Sequence, residues 1–138
     1  MNTEELTNKL KEYDNIDAFL TENEANFDEN GFKAFLETLL QRENTNITKL
    51  ALGSGVSVPY AHQLFNGAKN RPRKDILLRL AFGLALSLEE TNRLLTLGGT
   101  SPLRAKVRRD SILIFCLNKQ MGQDEADELL CHYGLATV

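Results

Sequence analysis

The chain has 138 residues, 42% of them hydrophobic and 25% charged, enough to bury about two thirds of its unfolded surface around one core and too few for a large multidomain enzyme. Three prolines, nine glycines and a net charge of only −3 exclude a disordered or low-complexity chain. The longest apolar run, Ile112 to Leu117, falls far short of the ~20 residues of a membrane span, and the acidic opening Met1-Asn2-Thr3-Glu4-Glu5 lacks signal-peptide character, so a cytoplasmic protein with no membrane partner is expected.

No stretch alternates apolar and polar residues as a half-buried strand does, whereas helical spacing recurs throughout, so an all-α fold is expected. A first surface helix is predicted over 3–13, with Leu6, Leu10 and Tyr13 on one face, and a short second one follows around Ile16, Phe19 and Leu20. The polar stretch Thr21 to Asn30 reads as a linker, with Phe27 pinned to the core. Phe32, Phe35, Leu36, Leu39 and Leu40 then form a wide apolar stripe up to Glu43. Asn44-Thr45-Asn46 is a turn that also supplies an N-cap. A short helix from Ile47 to Ser54 turns Leu50 and Ala51 inward, and Gly55 makes a sharp turn at low steric cost.

Ser57 fits the N-cap of the next helix, where Pro59 in the first turn costs no hydrogen bond. That helix runs through Phe65 to a left-handed end at Asn66-Gly67. Ala61 and Leu64 face inward, leaving Val58, Pro59, Tyr60, His62 and Gln63 toward solvent. A Leu-rich helix over 75–85 leads to one over 88–97, whose Ser87 and Glu90 have capping-box spacing.

Residues 71–99 and 106–134 align at an offset of 35. Identical pairs include Asp75/Asp110, Glu90/Glu125 and Gly99/Gly134, the residues that start and end helices. A second hairpin, over 107–120 and 123–133, is therefore expected to stack on the first, filled by Ile112, Phe115, Cys116, Leu129 and Leu130. Cys116 and Cys131 lie in apolar runs and are expected to be buried, reduced thiols. With only His62 and His132 beside them, no metal-ligating spacing exists and neither a metal nor a cofactor is expected. No recognisable set of nucleophile, base and orienting residue emerges, so the chain is not expected to be an enzyme.

The stretch from Ile47 to Leu95 resembles the helix-turn-helix domain of phage-repressor, Cro-like and xenobiotic-response-element-type transcriptional regulators. The resemblance is carried by Leu50-Ala51, the turn Gly55-Val56-Ser57, Leu64, Asn66-Gly67, the basic residues around Pro72 and the helix from Ile76 to Ala85. With the helix from Phe32 to Glu43 it covers roughly 32–97. It implies a repressor-like bundle of about five helices over 31–99, and leaves outside it the acidic helical arm over 1–30 and the added hairpin over 100–138, which a minimal domain of this family lacks. It further implies that 58–65 is a recognition helix in the major groove of double-stranded DNA. The implied DNA-binding set is Thr48, Ser57, Val58, Pro59, Tyr60, His62, Gln63, Asn66, Lys69, Asn70, Arg71, Arg73 and Lys74. Gln63 would read adenine, His62 or Tyr60 would donate to a base or a phosphate, and the cations would hold the backbone. The chain departs from the family pattern in having Ile47 where a bracing Gln is usual, and Ser54 where a Leu often precedes the turn glycine.

Charge is divided along the chain. Residues 1–44 carry four Lys/Arg against eleven Asp/Glu, residues 45–109 eleven against three, and residues 110–138 one against five. The basic centre suits a nucleic acid despite the acidic total, because the field of one face decides. The leading expectation is a sequence-specific DNA-binding regulator. The alternative is a protein-interaction adaptor that kept the fold and docks a partner through its acidic N-terminal arm and the apolar face of the helix over 58–65. The added hairpin would either stabilise the domain or make a homodimer. Arg104, Lys106, Arg108 and Arg109 form a second basic cluster, which would widen a DNA footprint or neutralise the acidic arm.

Overall fold

The computed structural model describes residues 2–24, 28–67 and 72–138, the side chains of residues 28–30 excepted. Among these residues are nine helices and no strand, so the all-α expectation holds. No described helix is long and apolar enough to cross a membrane.

The first helix, α1 (Thr3–Leu10), is capped by Asn2, whose side chain accepts from the Glu5 N–H at 2.8 Å. It ends three residues before Tyr13, because Tyr13 turns back toward α2 (Ile16–Glu22). Its ring meets Phe19 edge-on at 5.3 Å, and its hydroxyl donates to Glu22. That hydrogen bond to the carboxylate raises the Tyr13 pKa. Phe19 is buried while Ile16 and Leu20 are exposed, so the expected three-residue stripe reduces to one anchor.

The linker predicted over 21–30 is shorter, because α2 continues to Glu22 and α3 (Asp28–Arg42) starts before the expected boundary. Polar character misled here, since Asn23 is an interior residue. Its Oδ1 accepts from Lys9 Nζ at 2.9 Å and its amide donates to the Phe19 carbonyl at 3.0 Å. The expected anchor Phe27 lies outside the described residues.

The remaining helices are α4 (Ile47–Ser54), α5 (Val58–Phe65), α6 (Lys74–Gly83), α7 (Leu88–Leu97), α8 (Arg108–Asn118) and α9 (Gln123–His132). Three helix pairs are joined by one kind of turn built on a non-glycine residue, and a fourth, α4–α5, by the same turn built on Gly55. Asn44, Ala85 and Gln120 have φ of 51°, 52° and 57°, and each stands two residues before the next N-cap, Asn46, Ser87 or Gly122. In each turn the following N–H reaches back five residues: Thr45 to Leu40 at 2.9 Å, Leu86 to Ala81 at 3.0 Å and Met121 to Cys116 at 3.0 Å. These are Schellman closures, and they stop α6 and α8 two residues before the predicted ends. The chain thus builds the hairpins α3–α4, α6–α7 and α8–α9, with α5 following α4.

The last two hairpins bear out the duplication. Ala85 and Gln120 match at the offset of 35, as do Gly99 and Gly134, with φ of 83° and 71°. The hairpins face one another reciprocally: α6 packs on α9, and α7 on α8. Across this junction Arg109 pairs with Asp75 at 3.0 Å and Lys74 with Asp110 at 3.6 Å. Lys74/Arg109 and Asp75/Asp110 are themselves repeat equivalents, so each copy lends a cation to the other's acid. The local pseudo-two-fold is therefore visible in chemistry as well as in backbone.

One core runs from α3 to α9. Leu36, Leu77, Leu78, Leu80, Leu94, Leu95, Leu113 and Leu130 are fully buried, each removing enough apolar surface to favour folding by about 1.5–3 kcal/mol. Cys116 belongs to this core, and burial raises its pKa. Cys131 corrects the expectation for the thiols: Ala126 and Leu130 take the inward positions of α9, and Cys131 is exposed. The expected joint filling is likewise uneven. Cys116 and Leu130 are buried, Ile112 and Leu129 half-buried, and Phe115 is 48% exposed.

Candidate nucleic-acid interface

The segment from Asn44 to Lys74 contains no Asp or Glu and carries Lys49, Lys69, Arg71, Arg73 and Lys74. Its two short helices are set by local chemistry. Asn46 caps α4 by accepting from the Lys49 N–H at 2.9 Å. Gly55 ends α4 with φ 68°, and the Val56 N–H closes on the Ala51 carbonyl at 3.0 Å while its side chain enters the core. Ser57 then caps α5 by accepting from the Tyr60 N–H at 3.3 Å. Pro59 stands in the first turn, where no intrahelical donor is needed. Asn66 and Gly67, the latter with φ 82°, end the helix.

Ala61 and Leu64 are buried as expected, and Pro59 and Gln63, four residues apart, are exposed on the opposite side. Val58, Tyr60 and His62 depart from the expected solvent face and are half-buried. The first two pack on the core, and the His62 ring meets Thr48 Oγ1 with Nε2 at 2.9 Å. Thr48 and His62 thus brace α5 against α4, the task that the family pattern assigns to a Gln at the position of Ile47. Ile47 is instead buried.

A second brace sits behind the turn. Arg79 on α6 donates to the Gly55 carbonyl at 3.2 Å, and its other nitrogen donates to the Val138 carbonyl at 3.2 Å. The Val138 N–H in turn donates to Asp127 Oδ1 at 2.8 Å. The turn between α4 and α5 is therefore tied through Arg79 to the end of the second hairpin. Sequence reading gave Arg79 no role, because a lone Arg inside a Leu-rich helix has no local signature. Ser54 also becomes intelligible. Its Oγ would lie 2.2 Å from a Cβ placed on Gly83, so α4 and α6 cross where only small side chains fit. The Oγ is buried without a hydrogen-bond partner.

The cations divide into two groups. Lys49 and Arg73 are exposed, and Arg73 precedes α6 without making a side-chain cap. Lys74 is held inward, donating to Ser101 Oγ at 3.2 Å and paired with Asp110. Lys69, Asn70 and Arg71 lie outside the described residues. Two exposed cations on neighbouring helices escaped sequence reading: Lys49 on α4, the helix that packs on α5, and Lys33 on α3, whose Nζ stands 5.5 Å from the Phe65 ring centre. Nothing in the spacing of α3 reveals that its Lys33 reaches the end of α5. In the second basic cluster, Arg109 is committed to Asp75 and to the Ala136 and Thr137 carbonyls, while Arg104, Lys106 and Arg108 are exposed.

An eight-residue helix is about 12 Å long, comparable with the width of the DNA major groove. What α5 can offer such a groove is an amide at Gln63, a flat apolar edge at Pro59, the Ser57 hydroxyl and the Asn66 amide, with cations on neighbouring elements rather than on α5 itself. No protein-family model, curated protein or solved structure matches the chain.

Proposed function

We propose that this protein is a sequence-specific DNA-binding regulator of transcription, in which α4, the turn at Gly55 and α5 act as a helix-turn-helix of the phage-repressor type. The observation that carries the reading is the short, doubly braced α5, exposing Gln63 from a carboxylate-free segment of 31 residues that carries five cations. In this reading Gln63 makes the bidentate contact to adenine, and Lys49, Lys69, Arg71 and Arg73 hold phosphates. Thr48 and His62 act first as a brace, and Lys74 as a strut of the hairpin junction.

The test is fluorescence anisotropy of the full chain against duplex DNA from upstream of its own coding sequence and against a scrambled duplex, each at two salt concentrations. Expected is preference for the first duplex and a steep loss of affinity with salt. Arg71→Glu with Arg73→Glu should weaken both duplexes at least about tenfold and flatten the salt slope by about two. Gln63→Ala should instead narrow the gap between the duplexes. Binding to neither duplex, or binding indifferent to the double reversal, overturns the proposal.

A second reading, a protein-interaction adaptor on the same scaffold, is favoured by one feature. The α1–α2 arm exposes Leu10, Ile16 and Leu20 among acidic residues. Retention of a captured partner after nuclease treatment would support it over the first reading.

A further inference from the structure

Hairpin α6–α7 is covered on both sides. One side meets α8–α9 across the pseudo-two-fold, and the other is closed by the hairpin α3–α4, with α3 on α7 and α4 on α6. Leu77, Leu80 and Leu94 are therefore fully buried. Their repeat equivalents on the second hairpin are Ile112, Phe115 and Leu129. These line, with Arg108, Ser111 and Tyr133, an open groove of about 570 Å³. Phe115 is 48% and Tyr133 59% exposed there, a concentration of aromatic surface that a monomer seldom leaves to water. Among the described residues no further hairpin remains to close it, since α3–α4 is already spent on the first copy.

We propose that this groove is the interface of a homodimer, in which the α8–α9 hairpin of a second copy covers that of the first. Three observations select a second copy. Within the chain, the occupant of this face on the equivalent hairpin is itself a two-helix hairpin closed by the same Schellman turn. The exposed ring also sits in the groove itself: Phe115, 48% exposed, is part of the lining, so two copies related by a two-fold axis would each bring this ring to the other's apolar groove, as an isologous contact requires. Finally, the hairpin carries both signs: Arg108 lines the groove and Lys119, just after α8, holds its Nζ 5.9 Å from the Phe115 ring centre, while Glu125 and Glu128 are exposed on α9, so a two-fold copy laying α8 across the partner's α9 brings opposite charges together.

One difference from the covered hairpin shapes the contact. Gly98 lets Leu77 and Phe32 approach, since a Cβ there would lie 2.5 Å from Leu77 Cδ1 and 3.5 Å from the Phe32 ring. Its equivalent is Tyr133, which builds a wall at that end of the groove. A copy docking on the second hairpin therefore seats at the Phe115 end, in the shallower position expected of an association between folded chains.

The experiment is sedimentation velocity and light scattering of the full chain from about 1 to 100 µM without DNA, so its outcome does not depend on the reading given above. Expected is a species of twice 15.5 kDa that dissociates on dilution. Phe115→Glu and Tyr133→Glu, both at exposed positions, should each weaken association at least about 30-fold while retaining the helical circular dichroism and cooperative melt of the parent. Ile16→Glu, equally exposed but on α2, should leave the dimer intact. A chain that stays monomeric at 100 µM overturns the proposal, as does a dimer that survives both glutamates or one that Ile16→Glu dissolves.

Discussion

The hairpins α6–α7 and α8–α9 are one design in two environments. They share helix phase, turn conformation and a starting acid, yet the inner copy is enclosed by α3–α4 on the side where the outer copy carries a groove. The difference teaches that the duplicated residues specify the backbone, whereas the worth of each side chain is set by what lies against it. Equivalent substitutions should therefore give unequal effects. Leu77→Ala, at a fully buried site, should cost 2–5 kcal/mol, whereas Ile112→Ala, half-buried beside the groove, should cost about 1 kcal/mol. Urea denaturation at a concentration where the chain is monomeric makes the comparison. Equal losses would mean that the outer face is as fully packed as the inner one.

The starting acids sharpen the same contrast at smaller scale. Asp110 is 7% exposed, accepts from the Arg104 N–H at 3.0 Å and pairs with Lys74. The Asp75 side chain is 45% exposed and pairs with Arg109, whose guanidinium also has two backbone carbonyls. Asp110→Ala leaves the Arg104 N–H without its acceptor and Lys74 with only Ser101 as partner, and should cost about 1–3 kcal/mol. Asp75→Ala removes a solvent-screened partner and should cost no more than about 1 kcal/mol. Chemical denaturation of the two variants decides it, and the reverse order would show that Arg109 rather than Lys74 carries the junction.

Much of this scaffold is legible without coordinates. The N-caps Asn46, Ser57 and Ser87, the turn at Gly55 and the offset of 35 are written in short-range chemistry, because caps and turns depend on residues within one helical turn. The illegible parts depend on long-range contacts. Asn23 reads as loop and is interior because Lys9 and the Phe19 carbonyl reach it. His62 and Tyr60 read as outward on periodicity, and become half-buried because α4 and the core come up beside them. Arg79 joins Gly55 to Val138 across 24 and 59 residues of sequence, a link that no local pattern announces. Cys131 follows an apolar run yet faces water, because a run of apolar letters on a helix spans more than its inner face.

The smallest expected difference lies at the acids of the second helices, Glu90 and Glu125. Glu90 closes a capping box with Ser87, its carboxylate accepting from the Ser87 N–H at 3.2 Å, and it also receives Arg42 of α3. The Arg42 hydrogen bond is the main reason that its pKa is lowered. Glu125 has the same place in the repeat but follows Gly122, which has no side chain to complete a box, and no ion pair among the described residues reaches it. For Glu90 the sign is fixed by the lowered folded pKa: the stabilisation is present above the unfolded carboxylate value and fades as pH falls through the folded one. Glu90→Gln should therefore cost about 1 kcal/mol near neutral pH, with the parent and variant melting temperatures converging as the medium is acidified below the ordinary carboxylate range. Glu125→Gln should shift the melt by no more than about 0.5 kcal/mol at neutral pH. Thermal melts across pH test both, and a Glu90→Gln deficit that persists unchanged in acid would assign its effect to packing rather than to the charge it presents to Arg42.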